Sequence, residues 1–221
     1  MGKALGWIDS HCHLTCADLI GEAQDVRQRA LDAGVARMMI VCCRLEEAEA
    51  ALKMKAEDAR FDVAVGFHPS DLRDFTEEDW HKLETLVYNE NVTAIGEIGL
   101  DYYWDKDNHP QQQAAFIRQI ELANRVNKPI LVHSRDAIGD TLALLREHPA
   151  ARRGIIHCFS SSREMAREFV KLGYTIGLGG PVTFKNAKTP KEVAADVDLA
   201  HLQIETDCPY LTPVPYRGKR N

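Results

Sequence analysis

Apolar and polar positions along this chain change period in a regular order. Short runs that are apolar almost throughout, such as Met38-Met39-Ile40-Val41-Cys42 and Pro129-Ile130-Leu131-Val132, alternate with longer stretches in which apolar residues recur every three to four positions. The short runs have the pattern of buried strands and the longer stretches that of amphipathic helices. After an opening strand that ends near His13, the pattern predicts helices over Gly21 to Ala33, Leu45 to Arg60, Thr76 to Asn89, Pro110 to Asn127, Asp136 to His148, Ser162 to Leu172 and Lys191 to Val197. Each leads into a strand: Met38 to Cys42, Asp62 to Gly66, Val92 to Gly96, Pro129 to His133, Gly154 to His157, Tyr174 to Gly177 and Leu202 to Glu205. Thr76-Glu77-Glu78-Asp79 carries the capping-box spacing, with Asp79 in the place of the usual Glu or Gln.

Eight strands, seven of them preceded by a helix, predict a parallel sheet covered on both faces, and the number eight favours a closed (β/α)8 TIM barrel. An open doubly wound sheet is the alternative, but no Gly-x-Gly-x-x-Gly turn follows the first strand to support it. Residues 1–221 read as a single domain, with no Pro/Gly/Ser-rich linker. The last element in the pattern is the eighth strand, so the helix that should follow it is missing. Its absence is expected to leave an apolar flank on the first and eighth strands, open to self-association.

Composition narrows the function. A formal net charge of -6 argues against a coat protein for nucleic acid, though not against an enzyme that handles a few phosphates with local cations. Cys12, Cys16, Cys42, Cys43, Cys158 and Cys208 show no paired spacing, so free buried thiols are expected. The apolar run Ala4-Leu5-Gly6-Trp7-Ile8 behind Lys3 is too short for a secretion signal or a membrane span. A soluble, cytoplasmic protein follows.

The candidate chemistry collects at the ends of strands. His11 and His13 leave the first strand two residues apart, which puts both imidazoles on one face. Glu97 follows the fourth strand, His133 ends the fifth, His157 ends the sixth, and Asp207 lies just past the eighth. In a TIM barrel those ends converge on the mouth where active sites are built. Four imidazoles and two carboxylates suit zinc or manganese better than magnesium alone, and they suffice for two divalent ions if one carboxylate bridges.

Six segments, Asp9-Ser10-His11-Cys12-His13, Gly66-Phe67-His68-Pro69, Gly96-Glu97-Ile98-Gly99-Leu100-Asp101-Tyr102, His133-Ser134-Arg135, His157-Cys158-Phe159-Ser160 and Glu205-Thr206-Asp207-Cys208-Pro209, stand in the order seen in the TatD-like metal-dependent DNases of the amidohydrolase superfamily. The chain resembles that family from about Ile8 to Asn221. The resemblance implies that His11, His13, Glu97, His133, His157 and Asp207 are metal ligands. It also implies hydrolysis of DNA phosphodiesters from an unpaired 3′ end, as a 3′ to 5′ exonuclease, by attack of a metal-bound hydroxide. Family members continue into a closing helix, and this chain does not.

Within that frame Glu97 is assigned as the bridging carboxylate and Asp207 as the base beside the attacking water. His68 and Arg135 are assigned to substrate phosphate, with an ion pair of Arg135 to Glu97 or Asp101 as the alternative. Glu205 shares a strand face with Asp207 and is placed behind a ligating imidazole. Cys12, Cys158 and Cys208 adjoin ligands but should point away from them if the backbone is regular. Tyr102, Tyr103 and Trp104 offer faces for an unpaired base, with loop packing as the alternative, and Arg217, Lys219 and Arg220 form a basic cluster near the mouth that either guides a DNA backbone or is a solvated loop. Two other readings fit the same barrel: a metal-dependent amidohydrolase or esterase acting on a small carbonyl substrate, and a binding barrel without turnover.

Overall fold

The computed structural model describes residues 6–221, so Lys3, Ala4 and Leu5 of the leading apolar run lie outside the described residues. Eight parallel strands stand in the order of the sequence: β1 (Trp7–Cys12), β2 (Val35–Cys42), β3 (Phe61–Val65), β4 (Val92–Asp101), β5 (Ile130–Arg135), β6 (Gly154–Ile156), β7 (Thr175–Leu178) and β8 (Leu202–Ile204). Between them run α1 (Ala23–Asp32), α2 (Leu45–Glu57), α3 (Glu77–Leu86), α4 (His109–Arg125), α5 (Ile138–Glu147), α6 (Arg163–Lys171) and α7 (Lys188–Asp196). This is the TIM barrel, and the open-sheet alternative is excluded.

Local chemistry sets the boundaries. Thr76 and Asp79 form the reciprocal capping box that starts α3, and the Ser162 hydroxyl accepts from the Met165 amide to start α6. α2 stops at Glu57 rather than Arg60 because Asp58 leaves the helical conformation and its carboxylate is gripped by Arg27 and Arg60. β4 is twice the expected length, so Glu97 lies inside the strand rather than after it. β5 likewise runs past His133 to Arg135.

Side-chain alternation divides the core. Val41, Ala64, Ala94 and Leu131 pack inside the barrel, whereas Ile40, Cys42, Val63, Val65 and Ile95 join the layer shared with the helices. Burial of this kind contributes about 25 cal/mol per Å² of apolar surface. In β4 the pairing register with β5 shifts between Ile95 and Ile98, where Glu97 turns into the mouth. Gly99 is needed where β4 passes β5: its φ is +140°, and a Cβ there would fall 2.1 Å from the His133 carbonyl oxygen.

Neighbouring strands from β1 to β8 are joined by parallel pairing, with register shifts in the β1–β2, β3–β4 and β4–β5 pairs. The seam between β1 and β8 is laced differently, by single contacts near the mouth. The Ser10 hydroxyl donates to the Ile204 carbonyl (3.0 Å), Asp207 N to the His11 carbonyl (2.9 Å) and His13 N to the Cys208 carbonyl (2.8 Å). Asp9 accepts from the Thr206 amide (3.0 Å) and hydroxyl (2.6 Å). Along the same seam Trp7, Ile8, Leu199 and Ile204 are exposed.

Candidate functional site

Four donor atoms from three strand ends meet at the mouth. His11 Nε2 and His13 Nε2 are 3.1 Å apart. Glu97 Oε2 lies 3.3 Å from the first and 3.8 Å from the second, and Asp207 Oδ1 lies 3.9 and 3.4 Å from them. Ligands held 2.0 to 2.1 Å from a tetrahedral ion stand about 3.4 Å from one another, and the His11, His13 and Glu97 atoms lie near that spacing, with the Asp207 oxygen facing both imidazoles from its own side. The pairing of His13 Nδ1 with the Val41 carbonyl (3.1 Å) turns Nε2 toward the other three atoms. Acceptor atoms this close repel each other unless a cation or protons lie among them, and a divalent ion fits the donor types.

A second set begins on the other oxygen of the same carboxylate. Glu97 Oε1 is 2.8 Å from His133 Nδ1 and 3.8 Å from both His157 Nε2 and His68 Nε2. His157 Nε2 is also 3.6 Å from Asp207 Oδ1, and its ring is stacked on that of His11 at 3.4 Å. All six residues assigned as ligands are therefore brought together, and Glu97 faces both sets. Glu97 and His11 are buried almost completely, as are His157 and Asp207.

The electrostatics are those of a cation trap. Burial works against the charged form of His157, but the facing carboxylates of Glu205 and Glu97 more than offset it and push the ring up to about 10. His133 is raised to about 8 against the same burial by its hydrogen bonds to Asp101 and Glu97. Glu97 is buried too, yet the surrounding imidazoles hold it well below the usual carboxylate range. Asp207 is lowered in the same way, by His13 first. His11 is pushed down by burial and by its stacked neighbour His157.

A further layer holds the ligands in place. Glu205 Oε2 lies 3.0 Å from His157 Nδ1, with the ring N–H poorly aimed at it, and its Oε1 accepts from the Cys158 amide (2.7 Å). That is the place expected for Glu205. Asp101 was foreseen only as a partner for Arg135, but it holds His133: its Oδ2 is 2.9 Å from Nε2 of that ring. Two buried glutamines of α4 were not foreseen at all. Gln112 makes paired bonds to the Asp101 amide and carbonyl, and Gln119 does the same to Phe67, next to His68. Their signal in the sequence is position, since they stand two turns apart on the stripe of Ala115, Phe116 and Ile120.

Above the ligands lies a cavity of about 760 Å³. His68 lines it and accepts from the Ser70 amide through Nδ1 (3.2 Å), which leaves the ring proton on Nε2, and burial pushes its pKa down to about 3. Arg135 also lines the cavity, and the alternative ion pair with Glu97 or Asp101 is not formed. Its guanidinium lies over the rings of Tyr103 (3.9 Å) and Trp104 (5.3 Å). Tyr102 is turned elsewhere, against His109 and Asp140.

One expectation is corrected. Cys12 and Cys208 do pack in the core, but Cys158 lines the cavity, because its φ of +44° breaks the regular alternation. Of the basic tail, Arg220 pairs with Glu22 and Arg217 lies over Phe184.

Among the described residues no helix is long and apolar enough to cross a membrane. The family model for TatD related DNase matches residues 8–221. The chain is 45% identical over 214 residues to the metal-dependent hydrolase YabD of Bacillus subtilis strain 168, covering 96% of this chain and 84% of that one. It is 39% identical to the metal-dependent hydrolase YcfH of Escherichia coli K12, over 97% of this chain and 82% of the relative. Among solved structures it is similar to YjjV, a TatD homologue from E. coli K12, with a TM-score of 0.93 and 32% identity, covering 97% of this chain and 84% of that one.

Proposed function

The chain belongs to the TatD related DNase family of metal-dependent hydrolases, and from that membership we propose that it hydrolyses phosphodiester bonds of DNA at unpaired 3′ ends. The observation that carries this reading is the double engagement of Glu97, one oxygen in the His11, His13 and Asp207 set and the other facing His133 and His157. Two donor sets sharing one carboxylate suit a pair of divalent ions, zinc, manganese or magnesium. Six free thiols support a reducing, cytoplasmic setting.

When bound, such ions supply Lewis acidity and positive charge for an in-line phosphoryl displacement. His11, His13, Asp207 and Glu97 Oε2 would hold one of them, and Glu97 Oε1, His133 and His157 the other. Asp207 turns Oδ1 to the three imidazoles and takes the proton of the attacking water on its second oxygen. His68 donates from Nε2 to a non-bridging phosphate oxygen. Arg135 offers the two-pronged edge of its guanidinium to a neighbouring phosphate.

The test is release of nucleotides from a short single-stranded DNA labelled at either end, after adding Mg²⁺, Mn²⁺ or Zn²⁺ to metal-stripped protein, with Glu97→Ala as control. Metal-dependent shortening from the 3′ end that is lost in the control is the expected result. No cleavage by folded, metal-loaded protein would overturn the reading.

A further inference from the structure

Charge is spread unevenly around the rim of the cavity. Two arginines line it, and they differ in what they already hold. Arg44, just after β2, is 3.3 Å from both Asp71 and Asp74, and Glu47 adds another carboxylate to that wall. Arg135, three strands further round, has no carboxylate within 4.0 Å among the described residues. The one wall is already neutralised or acidic, and the other presents an uncommitted cation.

That cation is held for use at its edge. A guanidinium attracted to aromatic rings keeps its charge and its N–H donors, since the rings take none of its hydrogen bonds, and it can still bind phosphate. Beside it Trp104 lines the same cavity and is 67% exposed. A single exposed tryptophan is ordinary on a protein surface. The backbone that carries this one is tied to the donor cluster, because Asp101 Oδ1 accepts from the main-chain amides of both Tyr103 (3.0 Å) and Trp104 (2.9 Å) while its Oδ2 holds His133. One carboxylate thus joins the main chain of the aromatic pair to the donor atoms.

We propose that Arg135 and Trp104, seated on Tyr103, form a subsite for the nucleotide on one side of the cleaved bond, with the guanidinium on its phosphate and the indole against its unpaired base. The carboxylates of Glu47 and Asp71 close the opposite wall to phosphate. A strand is then gripped on one side only and is cut close to its end. A base inside a duplex has both faces stacked and no face to offer Trp104, so paired ends are poor substrates. This subsite presupposes the nuclease activity proposed above.

Steady-state kinetics of the metal-loaded enzyme separate the two ideas. The substrates are a single-stranded oligonucleotide, the same strand in a blunt duplex, a circular single strand, and bis(4-nitrophenyl) phosphate, which has neither base nor second phosphate. Trp104→Ala is expected to raise KM for the single strand about tenfold, with a much smaller effect on kcat, and to lower the preference for single strand over duplex by a similar factor. Trp104→Phe restores most of both, the small diester loses far less than the oligonucleotide does, and the circle resists the unmodified enzyme. If Trp104→Ala matches the unmodified enzyme on every substrate, or lowers all four equally, the subsite is wrong and the nuclease reading stands. Cutting of the circle as fast as the linear strand overturns the one-sided grip. If the unmodified enzyme cleaves neither DNA nor the small diester, the nuclease reading fails and the subsite with it.

Discussion

Asp101 grips His133 from behind, Oδ2 to Nε2 at 2.9 Å, while the other nitrogen of the ring meets Glu97 at 2.8 Å. A carboxylate behind an imidazole fixes the ring and makes it a better donor, and removing such a partner typically weakens metal binding 10- to 100-fold. Asp101→Asn is therefore expected to weaken metal binding by about that factor with the fold intact. Competition against a chromogenic chelator measures the first, and circular dichroism checks the second. Unchanged affinity would show that His133 is held by its strand alone.

Glu205 acts on His157 through charge. In the metal-free protein His157 is raised from 6.5 to about 10. A histidine raised on folding gives stability that is complete below the unfolded value, near 6.5, and is lost as pH climbs toward 10. Glu205→Gln should lower the His157 midpoint in an NMR titration of metal-stripped protein. The deficit in thermal stability relative to the unmodified chain should be largest below pH 6.5 and shrink toward pH 10. A deficit independent of pH would mean that Glu205 serves through the Cys158 amide alone.

Gln119 satisfies both backbone groups of Phe67, which are buried. Gln119→Leu leaves a buried amide and carbonyl without partners, a loss of about 1 to 3 kcal/mol, or a fall in Tm of roughly 2 to 4 °C for each kcal/mol. His68 follows Phe67, so KM should rise as well. Calorimetry with parallel kinetics tests both, and an unchanged Tm would refute the role.

Metal should stabilise the fold as well as drive the chemistry. A ligand that binds only the folded chain adds about 2.7 kcal/mol at a hundredfold excess over Kd, so manganese or zinc should raise the Tm of stripped protein by several degrees. Because the imidazoles must lose protons to bind, and His157 and His133 of stripped protein are raised to about 10 and about 8, the increase should be largest at alkaline pH and fade as pH drops through that range. His13→Ala should remove most of it. An increase that survives in that variant would place the ion elsewhere.

The parts of this molecule that were legible in the sequence are those fixed by repetition. Strands covered on both faces, such as β2 and β5, leave an apolar signature that polar neighbours cannot hide, and polar side chains at their ends inherit a predictable place. His11 and Asp207 were readable for that reason. Asp101 was misjudged because β4 runs five residues beyond Gly96 and brings it beside His133 in space. Gln112 and Gln119 read as ordinary polar helix positions, and their partners are backbone groups, which carry no letter. Cys158 escaped because a positive φ at a non-glycine residue leaves no mark in composition.

The seam between β1 and β8 gives the two ends of the chain a shared fate. Asp9 and Thr206 are 197 residues apart in sequence, and the donor atoms of His11, His13 and Asp207 sit directly beside that clasp. An ion held among them acts as a rivet that closes almost the whole chain into a loop, and such a closure removes far more freedom from the unfolded chain than a local contact does. Without the rivet, the hoop of strands has one tear line, with an exposed apolar edge along part of it. Amides of β1 and β8 should exchange their hydrogens first in stripped protein and slow down once metal is added. By the same reasoning, stripped protein is expected to be cleaved by proteases along β1 and β8 more readily than the metal-loaded protein.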